Sequence, residues 1–239
     1  MIDFHSHIIP GVDDGSKSVE ETYNMILEAK EVGFTDIILT SHFTTHYYEP
    51  SIQEIYTWKE KLQEVLNYKE IDIKLHSGME IYVSNRLEEL IRSDMLLTIA
   101  DGSYMLVELP INAQINYLDK ILYVLESFGV KLILAHPERY VYVQDNPTLI
   151  EKYKETGILI QCNYGSIIGQ YGKKTEQTIK RLFKRGQVDF LGSDCHRKNT
   201  VYKTIPDAVK RIKNIIGAEE FNKITVTNPK KVLEDQKIV

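Results

Sequence analysis

The chain's histidines and carboxylates recur directly after short apolar runs. His5-Ser6-His7 follows Ile2-Asp3-Phe4, and His42 comes soon after Ile37-Ile38-Leu39. Glu80 lies beyond the 71–75 run, and Glu108 follows Met105-Leu106-Val107. His136 follows Leu132-Ile133-Leu134, and Asp194-Cys195-His196 follows Phe190-Leu191. In a barrel of parallel strands, residues at the strand C-terminal ends converge on one rim. Six segments delivering nitrogen or carboxylate at the same point of the same pattern predict a polynuclear metal site.

The individual signals are weaker than their sum. His5 and His7 stand two apart off a strand, so both imidazoles face one side and can grip one cation. A single histidine after an aliphatic run is more often a satisfied core group, but His42 and His136 occur together with the other donors. Asp13-Asp14-Gly15 reads as a turn by residue type, yet its loop leaves the same rim as His5 and His7. A buried carboxylate at Glu80 or Glu108 needs a cation or donors, and Glu80 is assigned the role of bridging two metals. Alternation points Asp194 and His196 one way and Cys195 the other, so Cys195 is packing. Imidazole and carboxylate without thiolate suit Mn, Fe or Zn. Metals sharing a carboxylate can hold a hydroxide and clamp a phosphoryl group, which makes phosphoester hydrolysis the natural chemistry.

These donors must be positioned by a repeating scaffold. Strands are expected at 2–4, 36–40, 71–75, 104–108, 131–135, 158–161 and 189–192. Helical spacing fills 18–32, 51–68, 84–92, 114–127, 147–155, 175–185 and 205–216, with Ser16 or Ser18 as N-cap of the first. Several strands are mostly apolar, as when both faces are covered. Gly33, Gly129, Gly157 and Gly186 stand where helix C-cap glycines belong. The expectation is an α/β fold of about seven βα units, near the (βα)8 barrel architecture, formed by one domain over 1–239. A short capping helix follows Thr227-Asn228-Pro229.

Composition narrows the function. A hydrophobic fraction of 43% and a charged fraction of 26% are those of an ordinary globular protein with a real core. The net charge of −5 argues against a nucleic-acid backbone binder. Two cysteines, Cys162 and Cys195, make no disulfide scaffold and read as reduced thiols of a cytoplasmic protein. The N-terminus has no secretory pattern, and no window is apolar enough to span a bilayer. Neither cysteine heads a Cys-x5-Arg loop, so no phosphocysteine intermediate is expected.

Taken in order, His-x-His, Asp-Asp-Gly, Ser-His, Gly-x-Glu, a strand-terminal Glu, Ala-His-Pro-Glu-Arg and Ser-Asp-x-His resemble the PHP (polymerase and histidinol phosphatase) superfamily. The opening from Phe4 to Gly15 and the segment Ala135-His136-Pro137-Glu138-Arg139-Tyr140 resemble its bacterial protein-tyrosine phosphatases of the CpsB/YwqE type. The resemblance covers essentially the whole chain. It implies the PHP fold, a distorted TIM-like (β/α)7 barrel, and three divalent metals, with Mn2+ preferred and Fe or Zn as alternatives. It also implies a substrate, the phosphotyrosine tail of a partner bacterial tyrosine kinase, and a role in capsular or exopolysaccharide synthesis. By the resemblance, His5, His7, Glu80 and Asp194 hold the first metal; Glu80, Glu108 and His136 the second; Asp14, His42 and His196 the third. Asp14 stands where many superfamily members have histidine.

Arg139, Glu108 and His136 are the residues assigned to catalysis. Arg139 is read as a bidentate fork on phosphate oxygens, against the alternative of a surface ion pair with Glu138 or another acid. Tyr47, Tyr48, Tyr140, Tyr142, Tyr164 and Tyr171 are placed in rim loops, mostly as half-buried packing, with stacking on a phosphotyrosine ring as the functional option. His46 is read as solvated, and His76 as packing or as support for the ligands. The competing functions are hydrolysis of histidinol phosphate or of nucleic-acid ends, and a catalytically silent metal-stabilised binding module. Oligomeric state is left open.

Overall fold

The computed structural model describes residues 1–238. Seven parallel strands form one sheet in sequential order: β1 (Ile2–Ser6), β2 (Asp36–Phe43), β3 (Lys74–Tyr82), β4 (Tyr104–Glu108), β5 (Lys131–Ala135), β6 (Leu159–Asn163) and β7 (Phe190–Gly192). The sheet curls until β7 meets β1. The seam is held by a Ser6–Cys195 bridge, by Asp194 N–H on His5 O (2.8 Å), and by Ser193 N–H on the buried Asp3 carboxylate (2.7 Å). The result is a nearly closed, distorted seven-stranded barrel.

Helices pack outside it: α1 (Val19–Glu31), α2 (Ile52–Tyr68), α3 (Leu87–Arg92), α4 (Leu118–Ser127), α5 (Val141–Asp145), α6 (Leu149–Glu155), α7 (Tyr164–Ile167), α8 (Lys173–Lys184), α9 (Ile205–Asn222) and α10 (Asn228–Leu233). Ser18 and Ser51 cap α1 and α2 by accepting from Glu21 N–H and Glu54 N–H. Gly33, Gly129, Gly157 and Gly186 all take positive φ, the conformation that ends a helix. α9 runs past the expected boundary at 216 with a break at Gly217 (φ 81°).

Each strand has two buried faces. Outward residues such as Leu39, Val107 and Leu134 pack under the helices. Inward residues such as Phe4, Ile38, Leu106, Ile133 and Phe190 form a separate core inside the barrel, where Phe4 and Phe190 stack at 4.2 Å. Following the inward rows with their period of two carries Ile38 through Thr40 to His42, and Leu106 to Glu108. The barrel is thus apolar in its middle and turns polar at its C-terminal rim.

One strand differs from expectation. β3 spans Lys74–Tyr82 rather than 71–75. Ser77 and Gly78, weak strand formers, lie in its interior, and at Gly78 the space inside the barrel is tight. A Cβ at Gly78 would stand 3.1 Å from Ile99 and 3.2 Å from Ile38. His76 therefore sits near the start of β3, paired with Asp36 at 2.9 Å toward the opposite end of the barrel. The reading of His76 as support for the ligands is corrected accordingly.

Candidate metal centre

The barrel brings all nine predicted donors to one rim. An irregularity in the β1–β2 register between Asp3 and Ser6 inserts one residue. Phe4 still packs in the inner core, but the bulge re-aims the strand so that His5 and His7 also face inward. Across the β2–β3 pair His42 stands opposite Glu80, and across β3–β4 Tyr82 stands opposite Glu108. His136 follows β5, Asp194 and His196 follow β7, and Asp14 lies in the loop after β1. His136 (φ 34°) and Asp194 (φ 53°) both adopt left-handed backbone, a strained conformation that clusters at functional sites.

Glu80, fully buried, is the hub. Its Oε2 lies 3.0 Å from His42 Nδ1, 3.1 Å from His5 Nε2 and 3.3 Å from His7 Nε2; its Oε1 lies 2.9 Å from His136 Nε2. Glu108 stands 3.8 Å from His136 Nε2. Asp194 Oδ1 approaches His7 and His196 at 3.5 Å and His5 at 3.8 Å. Asp14 is 3.4 Å from His196 and 3.6 Å from His42. Three groups have donor atoms close enough to share an ion: His5, His7 and Glu80; His42, Glu80 and Glu108; and His7, Asp14, His42 and His196. In this grouping His7 joins two clusters and His42 stands with Glu80 and Glu108 as well as with Asp14, a more interlocked arrangement than the three sets implied by the resemblance.

Groups behind the donors set their tautomers. His7 Nδ1–H donates to Asp13 (2.9 Å), His5 Nδ1–H to Gln161 Oε1 (3.0 Å), and His196 Nδ1–H to the Asp194 carbonyl (3.0 Å). With the proton on Nδ1, each Nε2 presents its lone pair to the centre. Asp13 also accepts from His42 N–H and Gly15 N–H, and Asn163 Nδ2–H donates to Asp194 Oδ2 at 2.7 Å. Sequence reasoning missed Asp13, Gln161 and Asn163 as supporting groups. Gln161 lies 156 positions from His5, and only the sheet brings them together.

Does this cage fit divalent cations? Glu80 Oε2, His42 Nδ1, His136 Nδ1 and Asp14 Oδ1 are buried without a hydrogen-bond partner among the described residues. Glu80 Oε2 and His42 Nδ1 thus face each other at 3.0 Å outside hydrogen-bond geometry. Lone pairs crowded at such distances repel unless a proton or a cation stands between them. Two donors about 2.1 Å from a shared ion, at right angles to each other, are about 3 Å apart. The donor set, imidazole and carboxylate with no thiolate, suits Mn, Fe or Zn. The residues fit.

Protons report the same field. Burial pushes His5 down, but Glu80 and Asp194 outweigh it and raise it to about 9. His42 is likewise opposed by burial and raised by Glu80 to about 10. His7 is lowered by burial and by the neighbouring His196 and His42. Burial would raise Glu80, but His5 and His42 hold it well below the usual carboxylate range. Glu108 is raised by burial and by Glu80. The centre is a negative cage that draws positive charge.

The flanking residues divide. Arg139, in the turn Pro137–Arg139, donates from Nη1 to Asp194 Oδ2 at 2.9 Å. It does not pair with Glu138, which is buried and accepts from Asn163 N–H and Ser166 Oγ–H. Tyr140 and Tyr164 are fully buried rather than in the rim. The Tyr140 hydroxyl accepts from Leu109 N–H and donates to Ala135 O, bracing the ends of β4 and β5. Tyr47 is 81% exposed and His46 is exposed. Tyr142 is half-buried, and Tyr48 is half-buried 6.1 Å from the His42 ring. Asp194 departs from the alternating strand geometry expected of it, yet Asp194 and His196 still face the centre. Cys195 Sγ instead points to Arg197 O and Thr200.

A cavity of about 250 Å3 opens beside the cage, lined by Arg139, Tyr171, Asp194, His196 and Arg197. Larger cavities lie at the strand N-terminal end of the barrel and between α3 and α4, away from the donors.

The family described as "Capsular polysaccharide synthesis, CpsB/CapC" matches residues 1–234. A protein of Staphylococcus aureus named putative tyrosine-protein phosphatase CapC is 31% identical over 199 residues, covering 82% of this chain and 77% of that protein. A solved structure described under "YwqE from Bacillus subtilis and CpsB from Streptococcus pneumoniae, unique metal-dependent tyrosine phosphatases" superposes with a TM-score of 0.91 at 27% identity. It covers all of this chain and 96% of the other. A histidinol phosphate phosphatase from Lactococcus lactis, solved with zinc, L-histidinol and phosphate, shares the fold at a TM-score of 0.60 and 16% identity, covering 90% and 93%.

Proposed function

The chain belongs to the CpsB/CapC family of capsular polysaccharide synthesis, and from that premise we propose that it is a metal-dependent protein-tyrosine phosphatase. Its substrate is the phosphotyrosine tail of a partner bacterial tyrosine kinase in the cytoplasm, and its output regulates capsular or exopolysaccharide synthesis. No helix among the described residues is long and apolar enough to cross a membrane.

The observation that carries this reading is the hub itself: four imidazoles within 3.3 Å of one buried carboxylate, beside a cavity walled by an arginine. His5, His7, Asp14, His42, Glu80, Glu108, His136, Asp194 and His196 hold up to three divalent ions, manganese by preference. Such ions supply Lewis-acid stabilisation of phosphoryl oxygens and water activated at neutral pH. The protein's own part is positioning. Asp13 and Gln161 lock His7 and His5 from behind. Arg139 faces the cavity to receive equatorial phosphoryl oxygens as charge builds there. Glu108 stands at the mouth of the cage, where a carboxylate can take a proton from the attacking water. His136 ties Glu80 Oε1 in place. Both thiols are buried, so the displacement involves no cysteine ester.

The test is parallel turnover by manganese-loaded protein of a phosphotyrosine peptide, histidinol phosphate and single-stranded DNA. Preferred hydrolysis of the phosphotyrosine peptide, abolished by chelation and restored by metal, is expected. Preferred hydrolysis of histidinol phosphate, or turnover that survives complete metal removal, overturns the proposal. Arg139→Ala at unchanged metal content should lower turnover by about 100-fold.

A further inference from the structure

Arg139 is held from two sides. On one, Nη1 donates to Asp194 Oδ2 at 2.9 Å. On the other, the guanidinium carbon lies 4.5 Å from the centroid of the Tyr171 ring. Tyr171 belongs to the segment between α7 and α8, and three features seat it. Gly169 (φ 84°) and Gly172 (φ 92°) take left-handed backbone on either side. Thr175 Oγ1–H donates to the Tyr171 carbonyl at 3.0 Å. Gly165 leaves room chiefly for the neighbouring Gln170 side chain and secondarily for the ring, which would stand 3.3 Å from a Cβ there. Asp194 Oδ2 is itself pinned by Asn163 at 2.7 Å, while Asp194 Oδ1 faces the histidines.

We propose that Tyr171 is a positioning residue: its ring and Asp194 together fix the Arg139 guanidinium as a preformed fork for a phosphoryl group in the adjoining cavity. This rests on the reading of the site as a phosphatase centre. Among the described residues, Nη1 is the one guanidinium nitrogen of Arg139 with a hydrogen-bond partner, so Nε and Nη2 keep their donors for ligand oxygens. A free arginine loses rotamer freedom on binding an oxyanion. A guanidinium already stacked and tethered has lost it beforehand, which strengthens binding without a new contact to the ligand. The stacking is a cation–π contact in a partly desolvated site, where such contacts are strongest. Tyr171 is assigned to act through Arg139, and its hydroxyl also reaches Asp194 Oδ2 at 3.5 Å.

The experiment uses Tyr171→Leu, which keeps apolar bulk but removes the π face, and Tyr171→Phe, which restores that face. In metal-free protein labelled at arginine, the Arg139 Nε–H resonance should lie upfield from the ring current. It should move to the ordinary position in Tyr171→Leu and stay upfield in Tyr171→Phe. In manganese-loaded protein, Tyr171→Leu should weaken binding of inorganic phosphate and raise KM for an aryl phosphate by about tenfold. Tyr171→Phe should fall within about threefold of the parent. In an Arg139→Ala background, Tyr171→Leu should add less than about twofold. A Tyr171→Leu protein that matches the parent, or one whose loss is equally large without Arg139, overturns the proposal. Should the parent bind phosphate yet hydrolyse no phosphomonoester, the phosphatase reading fails separately, and the arginine resonance and phosphate affinities still decide the role of Tyr171.

Discussion

Replacing Glu80 by glutamine keeps the side-chain volume and removes the charge around which the cage is organised. Four imidazole nitrogens lie within 3.3 Å of this carboxylate, and Glu80 belongs to two of the three donor clusters. Groups that only orient a metal ligand are typically worth about 10–100-fold in affinity, so removing a shared ligand should cost more than ~100-fold. The metal-free protein should respond as well. Raising His5 from 6.5 to about 9 corresponds to on the order of 3 kcal/mol of preference for the folded imidazolium. Glu80 is the largest contributor to that rise, ahead of Asp194. A histidine raised on folding stabilises fully below its unfolded value near 6.5, and this stability is lost as pH climbs through about 9. In urea unfolding of metal-free samples, Glu80→Gln should therefore be less stable than the parent by up to about 3 kcal/mol at pH 6. The gap should narrow as pH climbs through about 9. Equilibrium dialysis against Mn2+ supplies the affinity. A stability gap that does not change from about pH 6 to about 10, together with unimpaired metal binding, would refute the account of Glu80 as hub.

Asp13→Asn removes the carboxylate that orients His7 and should weaken metal binding by about 10–100-fold, measured by competition with a chelating dye, while turnover per bound metal stays near that of the parent. His5 and His42, raised to about 9 and about 10, are protonated near neutral pH in the metal-free protein. Full loading at pH 7.5 should then release at least about two protons, with His196, also raised, adding to them; titration calorimetry in buffers of different ionisation enthalpy reads the release, and affinity should fall as pH falls. Cys162 and Cys195 are buried and their thiols are raised by burial. Iodoacetamide should leave both turnover and metal content intact; inactivation at unchanged metal content would point to a cysteine in the chemistry.

What the chain makes legible, and what it hides, follows from the range of each interaction. The donors could be found because a barrel strand announces itself locally: an apolar run ends, and the next inward residue is at the rim. His42 and Glu108 obey that pattern without help from the rest of the chain; His136, one residue past the inward Ala135, reaches the cage only through its left-handed backbone. β3 escaped it because Ser77 and Gly78 interrupt the apolar run, and Gly78 answers to the crowding of Ile99 and Ile38, a demand set by residues far away in sequence. The placement of Asp194 and His196 followed an alternation the backbone does not keep, since Asp194 is left-handed; their approach to the centre is imposed by the β1–β7 seam. Tyr140 looked like a rim residue beside His136, but its hydroxyl is consumed by Leu109 N–H and Ala135 O, a bond pair that exists only once β4 and β5 are neighbours. The same holds for Gln161 and Asn163, ordinary polar residues at a strand end until β6 sets them behind His5 and Asp194. Ligands carry their chemistry in their own side chains and can be read one at a time. Residues that orient ligands have no signature of their own, because their role is defined by a partner that only the closed barrel supplies.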